Sequence, residues 1–160
     1  GYFGGTPNWG EITDRRGQLK PIQSIDSILS YNLSSQRDEQ INSFLKSVQN
    51  STKPLVLLGD FNEPSHLDWQ MNTKNLFDHN NLVINWQNSM VLKENGFTDS
   101  YRKMYPDVVK NPGFTWPSSY SKNESTSWTP KADKRDRIDF IYYKENRISV
   151  VNYAIIGPID

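Results

Sequence analysis

The chain has 160 residues, and its 18 lysines and arginines balance its 18 aspartates and glutamates. This length suffices for one domain with a real core, and a net charge near zero gives no general attraction to nucleic acid. The lack of cysteine excludes disulfides, zinc–thiolate sites and cysteine nucleophiles, and no apolar run approaches the ~20 residues of a membrane span. We find neither a repeat nor a linker, so we expect residues 1–160 to form a single unit.

Residues 1–21 are rich in glycine, proline, asparagine and charge, which predicts an irregular N-terminal loop. The first residues, Gly1–Gly5, show neither a start methionine nor a signal-peptide pattern. We therefore expect a cut end that lacks any targeting region. The sequence then assigns no compartment, and a secreted or periplasmic protein is one of the options.

Two helices are predicted next. Apolar residues from Ile22 to Leu29 have helical spacing, and Pro21 suits a first turn. A second helix begins at Ser34-Ser35 and ends near Asn50. Its apolar positions fall on one face, at Ile41, Phe44, Leu45 and Val48.

The stretch Leu55–Pro64 follows, and it organises the chain. An apolar run bounded by Pro54 and Gly59 predicts a strand buried on both faces. If the strand geometry continues, Asp60 and Asn62 point to one side. Asp60 can then act as a general base or help to hold a metal ion, and Asn62 can donate to a phosphoryl oxygen. The alternative is an Asx turn at the strand end.

The middle of the chain predicts short elements. A helix covers Ser89–Glu94 and stops at Gly96, and Thr98 caps a helix over Asp99–Met104. Phe114–Trp116 is a strand candidate, and 117–130 reads as a surface loop. The aromatic and basic residues in and beside this loop form either a stacking surface for nucleotides or sugars or a solvated loop. These residues are Trp116, Tyr120, Trp128, Lys122, Lys131, Lys134 and Arg135.

Two strands are predicted near the C-terminus, over Arg137–Tyr143 and Ile148–Ile156. Asp139 lies inside the first, where an unpaired carboxylate is costly, so we expect it to have a partner. That partner is either a histidine that Asp139 orients, or Arg137 or a backbone amide. His66, four residues after Asn62, is either a substrate contact or a solvated loop residue.

The ordered set of motifs resembles the endonuclease/exonuclease/phosphatase superfamily, which has the fold of pancreatic deoxyribonuclease. Gly59–Pro64 and Arg137–Tyr142 carry the resemblance. Gly96–Arg102, Phe114–Trp116 and a helix with Arg37 and Gln40 support it in the expected order. The match covers residues 35–156.

The resemblance implies a divalent-metal phosphoesterase that uses Mg²⁺ or Mn²⁺. It places water activation on Asp60, transition-state contact on Asn62, and orientation of a histidine on Asp139. His66, Trp116 and Arg137 are further candidates for substrate contact. Nucleic acids, nucleotides, phospholipid head groups and sugar phosphates are all substrates within such a superfamily, and the segments 63–95 and 117–136 are where we expect specificity to lie.

Parts of the family pattern are absent from this chain. The metal-binding glutamate, an upstream His-Leu segment and the final Ser-Asp-His strand have no match, so we expect the glutamate to lie upstream of Gly1. The chain then corresponds to the C-terminal half of a two-sheet α/β sandwich: one mostly antiparallel sheet with flanking helices, part of a domain, and nearly inactive alone.

Two other interpretations stay open. The fold can serve as a binding module that holds a glycan, nucleotide or protein through the aromatic and basic loop. The chain can also be a structural fragment with an apolar face left uncovered, which predicts self-association through that face.

Overall fold

The computed structural model describes residues 12–13, 19–20, 22–77, 79–116, 136–144 and 147–156. Helices and strands are mixed along the chain, which agrees with the expected α/β class. In chain order they are β1 (Ile12–Thr13), β2 (Leu19–Lys20), α1 (Ile25–Leu33), α2 (Arg37–Val48), β3 (Leu55–Asp60), α3 (Gln87–Glu94), β4 (Thr98–Asp99), α4 (Ser100–Met104) and β5 (Asp139–Lys144).

The main sheet has three antiparallel strands in the order β3-β5-β4. β3 and β5 pair along their whole length, from Leu55 opposite Lys144 to Asp60 opposite Asp139. The expected antiparallel sheet with flanking helices is therefore present. Within the described residues, none of the helices is long and apolar enough to cross a membrane.

The prediction that β3 is buried on both faces is wrong. One face packs against the helices, whereas Val56 and Leu58 on the other are 53% and 68% exposed. Directly paired residues share a face, so Ile141 extends this surface on β5, and it too is exposed. The apolar surface ends at Asp60 and Asp139, which share its face.

Two hydrophobic clusters hold the elements together. Ile28 of α1 packs with Trp69, Ile84 and Trp86. The second cluster lies between α2, α3 and the covered face of the sheet, where Leu92, Phe97, Phe140 and Tyr142 are buried. The apolar stripe predicted for α2 packs on it, with Ile41, Phe44, Leu45 and Val48 partly buried. This packing fixes the start of α2 beside the end of β3.

Several sequence-based boundaries are corrected. Within 1–21, β1 and β2 form an antiparallel pair, so that segment is not wholly irregular. Asp99, not Thr98, caps α4, because its side chain accepts a hydrogen bond from the backbone N–H of Arg102. The strand predicted over Ile148–Ile156 does not form; residues 148–156 have no strand partner among the described residues, and a strand needs one to satisfy its backbone.

Candidate functional site

A polar cavity of about 320 Å³ is lined by residues 57–62, at the end of β3 and in the turn after it. Three elements and the turns that follow or precede them supply most of its polar side chains. Arg37 and Gln40 come from the first turn of α2, Asp60 and Asn62 from the end of β3, and Asn88 from the first turn of α3. The cavity therefore joins the predicted pair, Asp60 and Asn62, to residues that are distant in sequence.

Asp60 and Asn62 meet through a tight turn rather than a continued strand. β3 ends at Asp60, and Asn62 has a left-handed backbone with φ of 48°. Oδ1 of Asp60 accepts the backbone N–H of Asn62 at 2.7 Å, as in an Asx turn. The turn thus forms, and it keeps both side chains at the cavity.

Asp139 lies directly across the ladder from Asp60, at the first position of β5. Its side chain is exposed, so the expectation that an apolar strand buries it is wrong, and a histidine partner for it stays a prediction. Thr115 holds the backbone here, because its hydroxyl oxygen accepts the N–H groups of Ile138 and Asp139 at 3.1 and 3.2 Å. Two carboxylates therefore stand side by side at one end of the sheet.

The pKa of Asp60 is raised above its usual value. Partial burial is the main cause, since it disfavours the charged carboxylate, and the negative charge of Asp139 adds to the effect. The backbone N–H of Asn62 and the more distant Arg37 act in the opposite direction. A carboxylate with a raised pKa that is still reached by solvent is a better proton acceptor than an ordinary aspartate.

Glu63 braces the cavity from behind. It is buried, and Oε2 accepts the side-chain amides of Asn32 and Asn88 at 2.7 and 2.8 Å. Oε1 accepts the backbone N–H of Asn88 at 2.8 Å. Asn32 in turn accepts Nη2 of Arg37 at 2.7 Å. One carboxylate thus links α1, α3 and the turn after β3. It positions Asn88 directly and Arg37 through Asn32, and both of these residues line the cavity.

Sequence reasoning missed Asn88 and Glu63 as members of this site. Glu63 follows Asn62 directly, but nothing local distinguishes it from an exposed loop glutamate. Asn88 lies 25 residues further on, in a helix whose placement only packing decides. Arg37 and Gln40 entered through the family resemblance of their helix, and that helix does reach the cavity.

Arg137 does not reach the cavity. It is 3% exposed, and its guanidinium binds Asp68 and Asp99, with Nη2 2.7 Å from Oδ2 of Asp99 and 2.9 Å from Oδ2 of Asp68. Burial disfavours the charge, but the two carboxylates raise the pKa of Arg137 above its usual value. Its expected pairing with Asp139 is wrong, because Asp139 lies on the exposed face. We therefore reassign Arg137 from substrate contact to the core.

The other predicted contact residues also lie outside the cavity. His66 is buried and meets Ser89, so it is not a solvated loop residue. Trp116 is 38% exposed and forms an isolated bridge with Asp136, next to Thr115. A role for Trp116 in substrate contact stays a prediction. Tyr120, Lys122, Trp128, Lys131, Lys134 and Arg135 lie outside the described residues.

No group of three or more histidine, cysteine, aspartate or glutamate side chains placed to hold a metal ion occurs within the described residues. The cavity and its rim nevertheless offer the carboxylates of Asp60 and Asp139 and the carboxamide oxygen of Asn62. Oxygen donors of this kind suit Mg²⁺, which often takes one or two protein carboxylates and completes its shell with water and phosphate.

Comparison with known proteins adds three findings. The sequence model described as the Endonuclease/Exonuclease/phosphatase family matches residues 5–160. An uncharacterized protein of Caenorhabditis elegans is 42% identical over 103 residues, which make up 64% of this chain and 31% of that protein. The chain thus spans less than a third of that relative's length. No solved structure matches.

Proposed function

The chain belongs to the endonuclease/exonuclease/phosphatase family, and we propose that the protein containing it is a metal-dependent phosphoesterase with Asp60 as its general base. Families of this kind typically hydrolyse phosphate esters with a divalent metal. The observation that carries the proposal is the pair of carboxylates at the sheet end: Asp60, with a raised pKa, hydrogen-bonded to Asn62 and opposite Asp139.

The residues around Asp60 support roles in phosphate ester hydrolysis. Asp60 takes the proton of an attacking water, since its carboxylate is both reachable and a stronger base than usual. The carboxamides of Asn62 and Asn88 donate to the phosphoryl oxygens as negative charge grows on them. Arg37 adds a positive charge on the same side of the cavity. Asp139 is placed to orient a histidine from elsewhere in the protein.

Mg²⁺ or Mn²⁺ is the ion that we propose for the complete site, and Asp60 is the described residue that would help to hold it. Bound there, such an ion would neutralise the phosphate and stabilise the leaving oxygen. The described residues supply only part of a ligand shell, so we propose that the rest comes from elsewhere in the protein. On this proposal the isolated chain is nearly inactive.

We further propose that the open face of the main sheet is one inner face of a two-sheet sandwich. Val56, Leu58 and Ile141 form an exposed apolar strip there, and it leads directly to Asp60 and Asp139. A second sheet packed on this strip would bury it and would bring further polar side chains to the two carboxylates. Without that sheet, association of two copies through the strip is the expected alternative.

The decisive experiment compares the full-length protein with its Asp60→Asn variant. Hydrolysis of bis-p-nitrophenyl phosphate is measured with Mg²⁺, with Mn²⁺ and with EDTA. General-base catalysis contributes roughly 10²–10⁴-fold, so we expect a loss of that order in kcat. EDTA should abolish the wild-type rate, and the isolated chain should show little activity.

Asp26→Asn is the matched control, because Asp26 carries the same charge on the exposed first turn of α1. It should keep the wild-type rate. Urea unfolding of both variants separates chemistry from folding. Undiminished hydrolysis by a folded Asp60→Asn protein would overturn the proposed role of Asp60.

A further inference from the structure

Thr115 lies at the point where β5 begins, beside the two carboxylates of the candidate active site. Its hydroxyl oxygen accepts the backbone N–H groups of both Ile138 and Asp139, at 3.1 and 3.2 Å. In an extended strand successive N–H groups point to opposite edges, so two that meet one oxygen mark a bend in the backbone. The bend is at Ile138, and β5 begins at the next residue, Asp139. Thr115 therefore fixes the residue at which the strand starts.

Ile138 also joins this bend to the turn after β3. Its carbonyl oxygen accepts the backbone N–H of Phe61 at 2.8 Å, and the residue is buried at 1% exposure. Because Phe61 directly follows Asp60, Ile138 is bonded to Thr115 through its N–H and to the end of β3 through its carbonyl. The cross-strand pairing of Asp60 with Asp139 lies next to this link. The spacing of the two carboxylates thus depends on where Thr115 holds Ile138.

The backbone around Thr115 is itself anchored. The N–H of Thr115 donates to the carbonyl oxygen of Asp136 at 2.9 Å, and the N–H of Asp136 donates to the carbonyl oxygen of Trp116 at 2.7 Å. In the described sheet, β4 pairs only with the fourth and fifth residues of β5 and does not extend to its first residue. A side chain on a paired segment therefore takes the place of a strand neighbour at Asp139.

Thr115 is separate from the cavity that it influences. It is not among the residues that line the cavity at Asp60, and accepting two N–H groups uses both lone pairs of its hydroxyl oxygen. Threonine suits this position because its branched side chain restricts the χ1 angle, which keeps the oxygen in one place. Any effect of the hydroxyl on hydrolysis must then pass through the residues that it holds.

We propose that Thr115 is a positioning residue for phosphate ester hydrolysis, which holds Asp139 opposite Asp60 through the bend at Ile138. This inference rests on the proposed function, in which Asp60 activates water and Asp139 orients a histidine. A displacement of about 1 Å in a catalytic group can cost about 10²-fold in rate. A small shift of the bend is therefore enough to slow the reaction.

Thr115→Val tests the hydroxyl, because valine keeps the branched shape and removes the acceptor. Hydrolysis of bis-p-nitrophenyl phosphate by the full-length protein is measured with Mg²⁺. We expect kcat to fall by about 10- to 100-fold and KM to stay within about twofold of wild type, since Thr115 does not line the cavity. Thr115→Ser keeps the oxygen but frees χ1, so it should recover kcat to within about threefold of wild type.

The double variant Thr115→Val, Asp139→Asn shows whether Thr115 acts through Asp139. Residues that act through one another give non-additive effects. Once Asp139 has lost its carboxylate, its placement matters little to the reaction. We therefore expect kcat of the double variant to lie within about twofold of that of Asp139→Asn alone. Losses that multiply independently would refute the proposed route.

The same set of variants separates this inference from the proposed function. Full activity of Asp139→Asn would remove Asp139 from the reaction and would overturn both. A reduced kcat in Asp139→Asn, together with a wild-type kcat in folded Thr115→Val, would overturn the role of Thr115 alone.

Thr73→Val is the matched control. Thr73 is buried, and its hydroxyl accepts the backbone N–H of Gln70 at 3.0 Å and donates to the carbonyl oxygen of Asp68 at 2.7 Å. Its loss should lower the urea midpoint, as the loss of the Thr115 hydroxyl does, but should leave kcat within about twofold of wild type. Equal losses of kcat in the two variants would show that activity follows stability, and would contradict a positioning role for Thr115.

Thr115→Ser carries the test should Thr115→Val not fold. Its loss of about two- to threefold in kcat should appear in the wild-type background and disappear in the Asp139→Asn background. A loss of the same size in both backgrounds would contradict the route through Asp139.

Discussion

Two pairs of aspartates in this molecule have opposite environments. Asp60 and Asp139 lie at the open end of the main sheet, where both are exposed. Asp68 and Asp99, the latter on β4 of the same sheet, are buried at 6% and 4% exposure and bind Arg102 and Arg137. Asp139 and Arg137 are two residues apart, yet Asp139 belongs to the exposed pair and Arg137 binds the buried pair.

The difference shows which carboxylates are available for chemistry. A buried aspartate held by arginines has its lone pairs committed to the fold, and its removal leaves an uncompensated charge. An exposed aspartate beside another is held only weakly, and partial burial together with the neighbouring charge of Asp139 makes Asp60 a better base. Asp68 and Asp99 therefore serve stability, and we assign catalysis to Asp60. Variants of each group should separate these two roles.

The largest expected effect is on the buried pair. Arg137→Met keeps much of the side-chain volume but leaves Asp99 without the guanidinium that binds it. We expect the free energy of unfolding to fall by about 3–5 kcal/mol, measured by urea denaturation. Lys46→Met, on an exposed helical turn, should change it by no more than about 0.5 kcal/mol. A loss below about 1 kcal/mol in Arg137→Met would mean that the cluster adds little to stability.

Glu63→Gln should give the next largest effect. The amide must place its NH₂ group against either the backbone N–H or the side-chain amide of Asn88, so each orientation sets donor against donor. The cost should be about 1–3 kcal/mol in the free energy of unfolding. Because Asn88 lines the candidate site, KM for bis-p-nitrophenyl phosphate should rise as well.

The control for Glu63 is Glu94→Gln in the exposed last turn of α3. It should leave both stability and KM close to wild type. If Glu63→Gln lowered stability without any change in KM or kcat, the network would serve the fold alone and not the position of Asn88.

Asp139→Asn tests the exposed pair through pH. The charge of Asp139 helps to raise the pKa of Asp60, so removing it should lower that pKa. Asp60 then stays ionised at lower pH, and the acidic limb of kcat/KM in the full-length protein should move to lower pH. Burial still raises the pKa of Asp60 in this variant, so the acidic limb should stay at a higher pH than a free aspartate would give. Asp26→Asn should leave the limb in place, and a shift to higher pH would contradict the coupling.

The smallest effect is expected at the surface pair Asp107–Lys110. Nζ of Lys110 lies 3.5 Å from Oδ2 of Asp107, and the lysine side chain is 81% exposed. Lys110→Gln should leave the free energy of unfolding, measured by urea denaturation, close to that of the wild type, because solvent screens such pairs. A clear loss of stability in Lys110→Gln would show that the exposure of a charged residue does not tell whether it contributes to stability.

Local pattern was enough to locate several elements. The apolar spacing of α2, the strand before Gly59 and the stop of α3 at Gly96 each depend on residues close in sequence. Asp60 and Asn62 were singled out for the same reason, since a strand end is a local feature. The prediction of a strand over Ile148–Ile156 was wrong because apolar residues give a preference for strand pairing but do not specify a partner strand. Val151 in this segment is 91% exposed, so it packs against little else.

The sequence by itself determined the family, the order of the elements and the position of Asp60 and Asn62 at the end of β3. Only the tertiary structure decided which charged residues are free to act. Arg137 joins Asp68 across 69 positions, Glu63 joins Asn88 across 25, and Asp139 is exposed because of the face that it takes on β5. The reason is physical: backbone preference is set by near neighbours, whereas burial and ion pairing depend on which distant segments pack together.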